Sequence, residues 1–218
     1  VRDLILGKEI SDYDIATNAK PEDVIRIFHK VIPTGIAHGT VTILFMGQSI
    51  EATTYRIEKD YTDGRHPDKV EYASKIEEDL SRRDFTMNAI AASLADGSIV
   101  DPFGGQIDIQ QKTIRTVGNP LERFSEDGLR PVRALRFAAQ LGFEIEPETL
   151  KAIPVTNHIT KGISIERFRD EFVKMLKSPK PSVALNLMEK TGILKMFLPE
   201  FAGCRNVIQR DIRGFHSF

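Results

Sequence analysis

The sequence holds a single cysteine, Cys204, among 218 residues. One cysteine rules out an internal disulfide and a thiolate zinc site. Cys204 itself reads as a small, semi-buried filler rather than a nucleophile. Long apolar runs are missing too: nothing approaches the ~18–20 residues that a membrane-spanning helix needs. No signal peptide is visible at the start, although the start reads as clipped. A cytoplasmic setting is the default that follows. Internal repeats and low-complexity segments are absent. The chain also lacks a basic excess, with a net charge of −1, so as a whole it does not advertise nucleic-acid binding. What remains is an ordinary globular composition, 41% hydrophobic and 28% charged. The length suffices for one large domain or two small ones.

Charge is uneven along the chain. From Lys112 to Ala139, six basic residues (Lys112, Arg115, Arg123, Arg130, Arg133, Arg136) face three acidic ones (Glu122, Glu126, Asp127). A local excess made mostly of arginine suits a phosphate-rich partner.

The first third reads as mixed α/β. Tyr13–Thr17 has the pattern of a short strand. Pro21 opens a helix whose apolar stripe is Val24, Ile25 and Phe28. Gly35 to Gly39 is a turn. Thr40–Met46 and Ser49–Arg56 are strand-like runs around Gly47-Gln48, a hairpin signal. Tyr61 to Pro67 is a polar loop. Asp84 is a good N-cap for a helix through Ala89, Ile90 and Leu94. Asp96-Gly97 then turns the chain into a strand, Ser98–Asp101. Beyond Pro120 the pattern becomes helical: Glu126–Leu141, stopped by Gly142, then Ile165–Leu176 and Val183–Lys190.

Three clusters carry chemistry. In Asp12-Tyr13-Asp14, residues two apart on a strand point to one face, where two carboxylates can bind one or two magnesium ions. A solvated turn explains the same pair. Glu51, between Ile50 and Ala52, adds a third strand carboxylate; the three together would form a two-metal phosphoryl-transfer site. In Arg82–Ala89, Arg83 would stand at a helix N-terminus, where backbone donors favour anions and an arginine can clamp a triphosphate. In Glu126–Arg136, the residues Asp127, Arg130, Arg133 and Arg136 recur every third position, a charged ridge on a helix. Such a ridge can be a solvated face, but a nearly all-arginine one suits bases and phosphates.

The set Val1-Arg2-Asp3, Asp12–Thr17, Arg82–Ala89, Glu126-Asp127-x-x-Arg130 and Ile165-Glu166-Arg167-Phe168 resembles the class II tRNA nucleotidyltransferases, the bacterial CCA-adding enzymes and poly(A) polymerases. The resemblance runs along essentially the whole chain and keeps motif order. It implies an α+β fold: a polymerase-β-like nucleotidyltransferase head with a mixed β-sheet (1–120), an all-helical neck for base recognition (121–178), and the start of a helical body (179–218). It implies addition of C, C and A to the tRNA 3′ end from CTP and ATP, with Mg2+ held by Asp12 and Asp14. By position, Arg2 and Arg83 contact the nucleotide, Asp127 and Arg130 read the base, and Arg133 and Arg136 complete the pocket. Residues 166–172 would lie on a helix that braces the base-reading helix. Two same-class alternatives are an A-adding enzyme and a poly(A) polymerase; a third, from another class, is a non-catalytic RNA-binding module.

Some features depart from the family pattern. The paired glycines that open the family's first motif are absent, and the chain ends soon after the neck, so it reads as a fragment. Pro131 lacks a backbone donor and moves the expected helix start to about Gly128. The Lys59–Lys75 loop, expected to be short in CC-adding relatives, is full length, which favours CCA or A-only addition.

Overall fold

Strand-forming and helix-forming segments separate along the chain, and the computed structural model follows that division. It describes residues 1–10, 13–36, 39–59, 69–204, 208–211 and 214–217. The described chain divides into two units, Val1–Asn119 and Pro120–Phe218.

The first unit begins with a single helical turn, α1 (Arg2–Ile5), and the strand β1 (Tyr13–Thr17). Pro21 opens α2 (Pro21–Ile27) at its first position, as expected from its fixed φ, and Val24 is buried. Ile25 and Phe28, expected on the same stripe, are exposed. The helix stops at Ile27; Phe28 is extended and meets the Phe45 ring edge-on at 6.5 Å.

Next come β2 (Val31–Gly35), β3 (Thr40–Phe45) and β4 (Gln48–Thr54). The β3–β4 hairpin turns at Met46-Gly47, both with positive φ (48° and 78°). That is the handedness that matches twisted antiparallel strands. Arg56 belongs not to β4 but to the next strand, β5 (Arg56–Lys59), which pairs antiparallel with β6 (Lys69–Tyr72). The expected polar loop at 61–67 lies outside the described residues.

The main sheet has the order β1-β4-β3-β2, with β1 parallel to β4 and the other pairs antiparallel. Strand alternation gives it two different faces. Val41, Ile43 and Ala52 point to one side and pack with Val24 of α2. The opposite face carries Asp14, Glu51 and Thr42, aligned across three strands.

The rest of the unit comprises α3 (Ile76–Ser81), the short antiparallel pair β7 (Ala91–Ala92) and β8 (Ile99–Val100), α4 (Gly105–Gln110) and β9 (Thr113–Ile114). The helix expected from Asp84 to Leu94 does not form; only a single 3-10 turn, Thr86–Asn88, stands there. The reason is tertiary. Phe85, Met87 and Ala89 are all fully buried, which one stripe of an exposed helix cannot provide. The backbone is instead spent across the chain: Thr86 N–H donates to Arg115 O at 2.9 Å and Val117 N–H to Asp84 O at 3.1 Å.

The second unit holds α5 (Pro120–Glu126) and α6 (Leu129–Leu141), which starts after Gly128 and ends at Gly142 with φ 69°, as Pro131 and Gly142 predict. Then follow β10 (Glu144–Ile145), α7 (Pro147–Val155), α8 (Asn157–Thr160), α9 (Ile165–Leu176), α10 (Pro181–Thr191), α11 (Ile193–Phe197) and α12 (Pro199–Ala202). The bounds of α9 are those the sequence predicts. The part expected to be all-helical also contains an antiparallel hairpin, β11 (Ile208–Asp211) with β12 (Gly214–Ser217). Helix α6 is the centre of this unit, packed against α9 and α10. Phe168 of α9 is buried and stacks on Phe197 of α11 with ring centroids 4.1 Å apart.

Cys204 is exposed rather than semi-buried, and its thiol donates to the Glu200 carbonyl. Among the described residues no helix is long and apolar enough to cross a membrane.

Gly105 sits against the Thr86 backbone. A Cβ there would lie 2.2 Å from the Thr86 carbonyl oxygen. Gly105→Ala is expected to lower stability by about 1–3 kcal/mol or more, read from the urea midpoint.

Candidate active site

Asp14 and Glu51 are register partners in the parallel β1·β4 pair. Register partners point to the same side of a sheet, and adjacent strands lie about 4.8 Å apart. Both carboxylates are exposed on the sheet face that α2 leaves open. Hard oxygen donors so arranged suit a divalent cation such as magnesium. Asp12 lies outside the described residues. Among those described, no group of three or more His, Cys, Asp or Glu side chains is poised to hold a metal.

The Arg82–Asn88 segment is built differently from its sequence reading. Because no helix starts at Asp84, Arg83 does not stand at a helix N-terminus. Arg82 caps the C-terminus of α3, where a cation complements the helix dipole. Both arginines converge on Asp79, one turn earlier on α3, whose side chain is 1% exposed. Arg82 Nε donates to Oδ1 at 2.9 Å and Arg83 Nη2 to Oδ2 at 3.0 Å. Burial alone would push the Asp79 carboxyl up, but the two guanidinium charges outweigh it and hold the group below the ordinary aspartate range.

Asp84 is buried and accepts at Oδ1 from Phe85 N–H (2.8 Å) and Asn88 Nδ2 (2.9 Å). Asn88 Oδ1 in turn accepts from Arg2 Nη1 at 2.7 Å. Arg2 also forks onto Asp3, at 3.0 and 2.9 Å. Thus Arg2, assigned by resemblance alone, is tied to the segment that carries Arg83.

In the second unit the arginine ridge is not a solvated face. Arg130 and Arg136 are both buried, and Arg133 is half-buried. Arg130 Nη1 donates to the Arg123 carbonyl at 2.9 Å and to the Glu126 carboxylate, which also takes Arg123 Nη1 at 2.8 Å. Arg136 lies with its guanidinium carbon 3.8 Å from the centre of the Phe137 ring, donates to Gln140 Oε1 at 2.6 Å, and pairs with Glu171 of α9. Asp127 precedes α6 rather than riding on it. Its Oδ1 accepts from Leu129 N–H at 3.0 Å, and Arg167 Nη2 reaches both its oxygens at 3.1 and 3.0 Å. Gly128 permits this corner: a Cβ there would stand 2.8 Å from the Ile159 carbonyl oxygen.

The sequence reading makes α9 a brace and quotes Arg167 within its motif, but gives Arg167 no role and does not single out Glu171. Their four-residue spacing, which puts them on one helix face, was the available signal. It missed Asp79 altogether, although Asp79 stands three and four residues before Arg82 and Arg83, a helix ion-pair spacing.

Comparison with known proteins places the chain in a family. A model described as the poly A polymerase head domain matches residues 1–115, and one described as a probable RNA and SrmB-binding site of polymerase A matches residues 142–204. The chain belongs to the poly A polymerase head-domain family of nucleotidyltransferases. It is 47% identical to the CCA-adding enzyme of Geobacillus sp. (strain WCH70), across 98% of this chain and 52% of that protein. With the CCA-adding enzyme of Levilactobacillus brevis it shares 46% identity, across 100% of this chain and 54% of that one. The crystal structure of the Bacillus stearothermophilus CCA-adding enzyme in complex with CTP superposes with a TM-score of 0.83 at 46% identity, covering 93% of this chain and 48% of that chain. A tRNA nucleotidyltransferase complexed with a primer tRNA and an incoming ATP analog superposes with a TM-score of 0.74 at 31% identity, covering 90% and 56%. The chain therefore spans about half the length of the curated relatives it matches. The fold is the polymerase-β-like nucleotidyltransferase fold. Nucleotidyltransferases of this class use a divalent metal.

Two outcomes follow from the buried charges. Removing one partner of the Arg136–Glu171 pair strands the other away from water, so Glu171→Ala should cost about 3–5 kcal/mol. The apolar double replacement Arg136→Met with Glu171→Leu should recover most of that loss in urea unfolding. Asp79 acts on pH dependence. Its lowered folded value adds stability that is full above the unfolded carboxyl's range and lost as pH falls through the folded one. Asp79→Asn should flatten the acid limb of the unfolding midpoint below about pH 5.

Proposed function

We propose that this chain carries the nucleotide-transfer chemistry of a CCA-adding enzyme, in which C, C and A are added to the tRNA 3′ end without a nucleic-acid template. The observation that carries this reading is 46% identity across 93% of the chain with a CCA-adding enzyme crystallised with CTP. In this reading the substrates are CTP, ATP and the tRNA 3′ end, and the product besides extended tRNA is pyrophosphate. The head comprises residues 1–120, the neck 121–178 and the start of a body 179–218. The setting is cytoplasmic.

The tRNA 3′-hydroxyl attacks the α-phosphorus, and pyrophosphate departs. Asp12 and Asp14 would hold Mg2+, Asp14 from the open sheet face with Glu51 beside it as the third carboxylate. When bound, the metal stabilises charge on the entering and leaving oxygens. Arg2 and Arg83 contact the nucleotide, Arg83 through the phosphates. Asp127 accepts from the amino group of cytosine or adenine, and Arg130 donates to the ring nitrogen beside it. Uracil and guanine reverse that pattern, at a cost of about 1–3 kcal/mol for each buried mismatch. A carboxylate has about four lone-pair sites, so the bonds from Arg167 and Leu129 leave Asp127 room to accept from a base. Arg133 and Arg136 bind the nucleotide from α6, Arg136 from a position already held by Glu171.

A second reading, A-only addition, has one observation in its favour: the matching head model is described as that of poly A polymerase. The deciding experiment supplies tRNA lacking its 3′ end with CTP and ATP separately and together. Incorporation of C, then A, is expected; incorporation of A without C would overturn CCA addition, and no incorporation by a protein that still binds RNA would favour a non-catalytic RNA-binding module. Asp14→Ala should reduce turnover by at least about a hundredfold while RNA binding persists. Asp127→Ala should raise UTP and GTP incorporation relative to CTP and ATP in the same assay.

A further inference from the structure

We propose that Asp79 is a positioning residue, one that fixes how Arg83 meets the phosphates of the incoming nucleotide. The proposal rests on the reading of Arg83 as a phosphate contact. Asp79 divides its two oxygens between two arginines. Arg82 takes Oδ1 with two nitrogens, Nε at 2.9 Å and Nη2 at 2.8 Å. Arg83 takes Oδ2 with one, at 3.0 Å. The arginines are unequal in exposure as well: the Arg82 side chain is 15% exposed and that of Arg83 37%. Arg83 Nε is buried and has no hydrogen-bond partner among the described residues. Arg82 is thus the more enclosed and doubly bonded strut, and Arg83 keeps a donor unspent while one edge of its guanidinium is anchored.

An anchored guanidinium is worth more to a phosphate than a mobile one. Its planar fork is aimed in advance, so less side-chain freedom is lost when the anion arrives. The anchor itself is rigid. Asp79 is held on α3 and also accepts from the Arg56 backbone N–H, at 3.4 Å, at the start of β5. An asparagine in its place has one acceptor oxygen, and its amide group turns a donor toward whichever guanidinium lies opposite. One arginine must then let go. The more exposed and singly bonded Arg83 is the one expected to do so.

The test measures binding of CTP and CMP to the full chain by titration calorimetry at fixed magnesium. For Asp79→Asn the preference for CTP over CMP should fall about tenfold, while CMP affinity stays as in the parent chain. Arg83→Ala should reduce the same preference, and the double variant should add little, because both changes remove one contact. A merely structural role for Asp79 would weaken CMP as much as CTP, and that result overturns the proposal. If Arg83→Ala leaves the preference intact, the phosphate-contact reading of Arg83 fails. If Arg83→Ala lowers it and Asp79→Asn does not, the positioning role fails alone. Should Asp79→Asn not fold, Asp79→Glu keeps the charge and shifts it by one methylene. A severalfold loss of preference is then expected; an unchanged preference, or loss of folding in both variants, overturns the proposal.

Discussion

A guanidinium withdrawn from water must meet a carboxylate or another acceptor, and much of this structure is arranged around that requirement. Helix α6 carries two arginines that are almost wholly buried, Arg130 and Arg136. Glu126 serves the first from the end of α5, and Glu171 serves the second from α9. Pairs of this kind add little net stability over apolar packing, but an arrangement that strands one charge is heavily penalised. They therefore select one rotation of α9 against α6. With that rotation fixed, Arg167, on the same face of α9 as Glu171, falls opposite Asp127. The carboxylate assigned to base reading is thus oriented from a helix 40 residues away.

The first unit solves the same problem with the signs reversed. There a single buried carboxylate, Asp79, gathers two arginines at the end of α3. The main sheet meets a different demand. Its apolar face is closed by α2, and its polar face stays open with Asp14 and Glu51 side by side. The buried core and the proposed metal-binding carboxylates are divided between the two faces of one sheet, which strand alternation makes possible.

Much of this was legible in the sequence wherever the controlling signal is local. The strand Tyr13–Thr17, the start of α2 at Pro21, the stop of α6 at Gly142 and both ends of α9 depend on short-range sterics and capping, and the residues declare them. Elements governed by distant partners were not legible. The 82–94 segment has a helix-like pattern, yet its backbone bonds to residues 115–117, and Asp84–Met87, Ala89 and Ile90 are all buried. The three-residue spacing of Asp127, Arg130, Arg133 and Arg136 predicted a ridge. It did not indicate that Arg136 faces Glu171 across 35 positions. Glu51 was recognisable as a strand carboxylate, but its alignment with Asp14 depends on a parallel pairing that the hairpin motif does not reveal.

That alignment ties chain length at one place to the proposed chemistry. Side chains alternate along β4, so an extra residue inside the strand before Glu51 would turn the glutamate toward Val41 and Ile43 and bring an apolar residue beside Asp14. The same insertion at the Met46-Gly47 turn, where the backbone already leaves the ladder, leaves every partner of Asp14 in place. Insertions and deletions among descendants of this gene should therefore gather at the hairpin tip and avoid the seven residues of β4.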